Sequence, residues 1–158
     1  MASPKQINLA LQGGGAHGAF TWGALDRILE DDRVEIAAMS GTSAGALNAA
    51  ALKSGMIKGG KEGARDNLRW LWERVAGVQD ISVTTWMAPF GAAAVSQALE
   101  YSLPYMMGDT LGRMVSPYAL GALYSNPLEP IVRDMDFDCV CAEDGPALFI
   151  NATRVRNG

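Results

Sequence analysis

Two stretches of this 158-residue chain carry residues whose types and spacing could do chemistry. One is Gln12-Gly13-Gly14-Gly15-Ala16-His17-Gly18; the other is Gly41-Thr42-Ser43-Ala44-Gly45. In the second, an apolar run, Ile36 to Met39, leads in and an alanine-rich run, Ala46 to Leu52, leads out. That order reads as strand, sharp turn and helix, with Ser43 at the apex. Gly-x-Ser-x-Gly in this setting is the pattern of a nucleophile elbow. Side chains at the flanking positions of so tight a turn would collide, hence Gly41 and Gly45. Thr42 and Ala44 complete the turn around the serine. A helix beginning just after Ser43 places its positive dipole end where negative charge would develop.

The first stretch has two readings. Gly13-x-Gly15-x-x-Gly18 after a strand and before a helix matches a dinucleotide fingerprint. That site also requires an acidic residue at the carboxyl end of the second strand. The second strand is expected to end in Met39-Ser40-Gly41, and Glu35 falls at its other end. The alternative treats both stretches as one device. In a parallel strand pair, the glycine-rich turn and the elbow lie side by side at the carboxyl edge. Backbone N–H groups of Gly13, Gly14, Gly15 and Gly18 would then face a tetrahedral oxyanion formed at Ser43. This reading is preferred over a dinucleotide-binding domain.

These two motifs, in this order, resemble the patatin-like phospholipase family. The resemblance rests on Leu11 to Phe20 and Gly41 to Ala46, spans residues 7–56, and extends to a later strand, Leu148–Gly158. It implies an α/β fold, a three-layer α/β/α arrangement with mostly parallel core strands. It implies hydrolysis of lipid acyl esters by a Ser–Asp dyad without histidine or cofactor. Ser43 matches the nucleophile, and Gly13, Gly14, Gly15 and Gly18 match the oxyanion-hole loop. The family carries Arg or Lys in that loop where this chain has His17. Its dyad aspartate sits in an Asp-Gly-Gly or Asp-Gly-Ala motif. The one Asp-Gly pair in the chain is Asp144-Gly145-Pro146, which reads as a turn before a strand. The base is therefore expected outside this chain, in a complementary C-terminal part.

The elements that must position these residues follow from periodicity. Ile7 to Leu11 reads as a strand, and Trp22, Leu25, Ile28 and Leu29 form the inner face of a helix after the glycine loop. With Ile36–Met39 and the helix out of the elbow, expected to run to Lys53 with Gly55 as its cap, this is a βαβ unit with parallel strands. Gly59-Gly60-Lys61 reads as a linker. Leu68, Leu71, Trp72 and Val75 define another one-faced helix, and Asn126-Pro127 an N-cap and first helical residue. Ala147 to Val155 reads as the last strand. Three strands are few for a sheet flanked by this many helices. The expectation is therefore that residues 1–158 form the N-terminal portion of a single domain. Between Ile81 and Leu128 only Glu100, Asp109 and Arg113 carry charge. This stretch, about residues 81–125, reads as an apolar cap-like insertion, either packed on the domain itself or contacting a membrane surface.

Composition narrows the classes further. The chain is 49% hydrophobic with a net charge of −4, so nucleic acid is not expected as a partner. One histidine and the cysteines Cys139 and Cys141 do not make a zinc site. One residue apart on an extended segment, the two cysteines would face opposite ways and not pair. The amino-terminal residues lack the apolar segment of a signal peptide, so a cytoplasmic protein, peripheral to membranes at most, is expected. His17 as a general base is disfavoured because it sits beside the proposed oxyanion donors. The preferred function is a serine lipid acyl hydrolase acting on a lipid or hydrophobic ester. An acyltransferase or thioesterase on the same serine, and a catalytically incomplete lipid-binding fragment, are the alternatives. If the cap contacts membranes, replacing Met106 and Met107 by Asp will lower the fraction that co-sediments with phospholipid vesicles. Unchanged sedimentation would count against that contact.

Overall fold

The structure, a computed structural model, describes residues 3–78, 126 and 128–154. The chain divides into two compact units, residues 1–75 with 131–158, and residues 76–130. The elements run β1 (Lys5–Leu11), a 3-10 turn (Gly15–His17), α1 (Gly18–Leu29), β2 (Val34–Thr42), α2 (Ala44–Val78), α3 (Glu129–Arg133), α4 (Phe137–Val140) and β3 (Ala147–Asn151). The expected cap-like stretch, about 81–125, and Pro127 lie outside the described residues. Asn126 does accept, through Oδ1, from the Leu128 N–H at 3.0 Å, as a capping residue would.

The sheet is parallel throughout, in the order β1-β2-β3. This is the α/β class expected from the βαβ pattern. β2 is the central strand and the most apolar, with Ile36 and Met39 buried. β1 pairs with it from Lys5 opposite Val34 to Leu11 opposite Gly41. The register slips between Ile7 and Asn8, where Ala37 is an extra residue on β2. β3 pairs from Ala147 opposite Ala38 to Asn151 opposite Thr42, so the strand is shorter than the apolar run that predicts it. With all strands parallel, the residues after β1, β2 and β3 share one edge.

The largest departure from the sequence reading is α2. Gly55 does not cap a helix. The first helix of α2 runs on to a break at Gly59 (φ −156°) and Gly60 (φ 61°), where the expected linker is a tight turn, and a second helix follows at once to Val78. Gly60 takes a left-handed conformation that a side chain would strain. The two halves fold back on each other as a helical hairpin. Asn67 Nδ2 donates to the Ala51 carbonyl at 2.9 Å, and Trp72 Nε1 to Asn48 Oδ1 at 2.8 Å. Between these contacts and the break, Gly55 meets Gly63. A Cβ on either would press on the other's carbonyl oxygen, so the helices touch backbone to backbone. The glycines read as punctuation in the sequence are thus a turn (Gly59, Gly60) and a crossing point (Gly55, Gly63).

The core forms where this hairpin and α1 pack on the sheet. Leu25 and Leu29 of α1 are buried, as are Leu52, Leu68 and Leu71 of α2, and Ile131 of α3. The faces read from periodicity in α1 and in the second half of α2 are the buried ones. A forked ion pair ties the two helices: Arg65 donates to both Asp26 carboxylate oxygens, at 2.8 and 3.2 Å. Lys61 Nζ donates to the Asp31 carbonyl and to Asp32 Oδ1, which fastens the corner between α1 and β2. Asp136 caps α4 by accepting from the Cys139 N–H and also pairs with Lys58 at 2.9 Å. That cap makes the cysteine segment helical rather than extended, and both thiols are free.

Two of these contacts are set by charge. Hydrogen bonding from Arg65 lowers the Asp26 pKa. Hydrogen bonds from Lys58 and from the Cys139 N–H lower that of Asp136, from 3.8 to about 2. A depressed folded-state pKa gives stability that is present above the unfolded value and lost as pH falls through the folded one. Urea unfolding should therefore show stability falling between about pH 4 and pH 2, with a shallower fall in Asp136→Asn. The glycines make a second test. Gly55→Leu should cost about 2 kcal/mol or more by overpacking the hairpin. At the exposed Gly23 of α1, where no atom lies within 4 Å of a built Cβ, Gly→Ala should stabilise by about 0.5–1 kcal/mol.

Candidate functional site

The site lies at the carboxyl edge of the sheet, where β1 and β2 end side by side. After Thr42 the chain turns through Ser43, whose φ is 53°. Among the described residues Ser43 is the one non-glycine residue with positive φ. Such a conformation costs about 1–3 kcal/mol and persists only where the surroundings impose it. Here the surroundings do so from both sides. A Cβ on Gly41 would lie 2.6 Å from the Gly45 carbonyl carbon, and one on Gly45 would collide with the Leu11 and Gln12 carbonyl groups. Helix α2 starts at once: the Ser43 carbonyl accepts from the Ala46 N–H at 2.9 Å and the Leu47 N–H at 3.1 Å. Ser43 is left exposed on the turn, at the N-terminus of a long helix.

The glycine-rich loop is seated on that turn. A Cβ on Gly13 would come within 2.9 Å of the Thr42 carbonyl oxygen and 3.1 Å of Ser43 Cβ. Gly14 and Gly15 both have positive φ, 150° and 57°. His17 closes the loop. Its backbone N–H and its Nδ1 both donate to the Gly14 carbonyl, at 3.2 and 3.1 Å. Gly18 is buried, and a Cβ there would lie 2.8 Å from Ala44 Cβ and from the Trp72 ring.

One residue of this assembly escapes the sequence reading. Asn48 is fully buried, one turn into α2. Its Nδ2 donates to the Gly18 carbonyl at 3.0 Å, and its Oδ1 accepts from Trp72 Nε1 at 2.8 Å. The amide thus joins the end of the glycine loop, the helix that carries Ser43, and the returning half of α2. Its signal in the sequence is a lone amide in the apolar run Ala44 to Leu52. Trp72, expected as core, is core with a polar tip that found its partner.

The remaining sequence candidates fall elsewhere. Asp144 and Gly145 precede β3, so parallel pairing puts them at the amino edge, a full strand from Ser43. Gly145 (φ 75°) forms a turn there, with Ile57 Cδ1 3.0 Å from where a Cβ would be. Glu35 pairs opposite Gln6 at that same amino edge, the wrong end to hold a ribose. Among the described residues no group of three or more His, Cys, Asp or Glu is placed to hold a metal ion. No described helix is long and apolar enough to cross a membrane.

A profile of the family described as patatin-like phospholipase matches residues 9–138 of the chain. That span contains both glycine motifs and Asn48. No curated protein and no solved structure matches.

The Asn48 bridge predicts a measurable coupling. Asn48→Ala leaves the buried Trp72 indole N–H without a partner and removes the second hydrogen bond to the Gly18 carbonyl, which should cost about 2 kcal/mol. In a Trp72→Phe background the cost should be smaller by about 1 kcal/mol, since one orphaned group is gone. Urea unfolding of the four proteins in the cycle measures it. Additive costs would show that the two side chains do not act together.

Proposed function

Because this chain belongs to the patatin-like phospholipase family, a family of lipid acyl hydrolases, we propose that it cleaves lipid or hydrophobic esters with Ser43 as the nucleophile. The observation that carries this reading is the exposed Ser43 at φ 53°, with the Gly13 backbone packed against it. Ser43 Oγ attacks the ester carbonyl carbon, and its proton passes to an aspartate of a Ser–Asp dyad. The carbonyl oxygen takes the negative charge, which the N–H groups of the Gly13–Gly15 stretch and the start of α2 stabilise. The tetrahedral intermediate collapses, the alcohol leaves with a proton, and Ser43 holds the acyl group. Water then attacks the acyl-enzyme and frees the fatty acid and the serine.

Asp144, at the opposite edge of the sheet, is no candidate for that aspartate. The base is proposed to come from polypeptide outside these 158 residues. The lipid preference follows from the family.

A fluorophosphonate probe applied to the protein in its full natural chain tests the reading. Ser43 should be labelled, and Ser43→Ala should abolish both labelling and release of fatty acid from phospholipid or p-nitrophenyl ester substrates. Absence of labelling in the wild type, or esterase activity surviving in Ser43→Ala, would sink it.

A further inference from the structure

His17 is the one ionisable side chain in the glycine loop, and the mechanism above leaves it without a role. We infer that His17 is a positioning residue: its Nδ1–H holds the Gly14 carbonyl so that the Gly15 N–H is presented to the oxyanion. This rests on the reading of Ser43 as a nucleophile. The geometry has three parts. First, the Gly14 carbonyl accepts two hydrogen bonds from the same residue, His17 N–H at 3.2 Å and His17 Nδ1 at 3.1 Å. A carbonyl oxygen can only accept, so Nδ1 carries the hydrogen. Second, the Gly14–Gly15 peptide is trans and planar, so its N–H points opposite to its C=O. Pinning the carbonyl toward His17 turns the Gly15 N–H away from it, and as a first-turn donor that N–H has no acceptor within its own helix. Third, the residues on either side of that peptide are glycines, at φ 150° and 57°, whose lack of a Cβ would otherwise let it rotate.

A loop of three glycines has little to hold one peptide orientation. Oxyanion stabilisation depends on donors fixed before the charge develops. The exposed imidazole supplies a hold that does not depend on the core, because neither the ring nor the loop carbonyl is part of the buried assembly around Asn48. The buried tether fixes the Gly18 end of the loop through Asn48, and His17 fixes the Gly14 end.

Because His17 is exposed, its replacement should leave folding intact, which thermal unfolding checks. In the full natural chain, His17→Ala should lower the rate of fluorophosphonate labelling of Ser43 and the kcat for ester hydrolysis about tenfold, with KM nearly unchanged. His17→Asn, whose Nδ2 can stand where Nδ1 stands, should recover most of that loss. Wild-type rates in His17→Ala would overturn the proposal, and so would an Asn variant as slow as the Ala variant. A readout independent of activity is the nitrogen spectrum of the ring, assigned as the signal that disappears in His17→Ala. It should show the neutral ring protonated at Nδ1, and protonation at Nε2 alone would overturn the brace. No labelling even of the wild type, with Nδ1 protonated, would instead overturn the hydrolase reading and the positioning role with it.

Discussion

The contact on which the rest depends is backbone against backbone. Gly45, in the first turn of α2, lies against the carbonyl groups of Leu11 and Gln12 at the end of β1. No side chain fits between them. This closeness brings the end of one strand to the turn after the next, and it forces the chain at Ser43 into a left-handed conformation. Gly41 and Gly13 answer the same constraint from the other sides of the turn. The price of such closeness is lost side-chain packing, and the surrounding structure compensates with burial. Ala44, Ala49 and Ala51 keep α2 slim enough to sit deep in the domain, and Leu25, Met39 and Leu52 fill the space around it.

Apolar burial does not fix a loop of glycines. That falls to a small number of polar contacts, which differ in value according to where they lie. Asn48 satisfies two buried groups at once, and each such bond contributes about 1 kcal/mol made and more if broken. The Arg65–Asp26 fork is partly shielded and joins two helices, so it holds a tertiary relation. Arg69 and Asp66, by contrast, sit three residues apart on one exposed helical face and add little. The helical hairpin within α2 links the two levels. Its reversal at Gly59-Gly60 returns Trp72 to the side of Asn48, and so connects a distant turn to the loop beside Ser43.

Much of this was legible without coordinates. Strand, glycine turn, helix, strand and sharp turn follow from period, glycine placement and the serine at the apex, because those features obey local steric rules. Parallel pairing followed from the βαβ order, and the misplacement of Asp144 and Glu35 from the direction of the strands. The failures share a cause. Gly55 reads as a helix end because glycine most often ends helices, but it marks a crossing; Gly59-Gly60, read as a linker, does break the helix, as a tight reversal. Cys139 and Cys141 were read as extended because no local pattern announces a four-residue helix capped by Asp136.

The sequence by itself determined the parallel α/β class, the family and the place of Ser43 at the tip of a strand-to-helix turn. These depend on which backbone angles each residue permits, and residue types state that directly. Only the tertiary structure decided which atoms hold the glycine loop. Asn48 meets Gly18 across 30 residues of sequence, Trp72 meets Asn48 across 24, and His17 meets Gly14 across 3. The Trp72–Asn48 meeting exists because α2 doubles back, and the Asn48–Gly18 meeting because the start of α2 lies against the start of α1; no local pattern records either path. The loop, rich in residues that allow every conformation, takes one because of neighbours that folding brings to it.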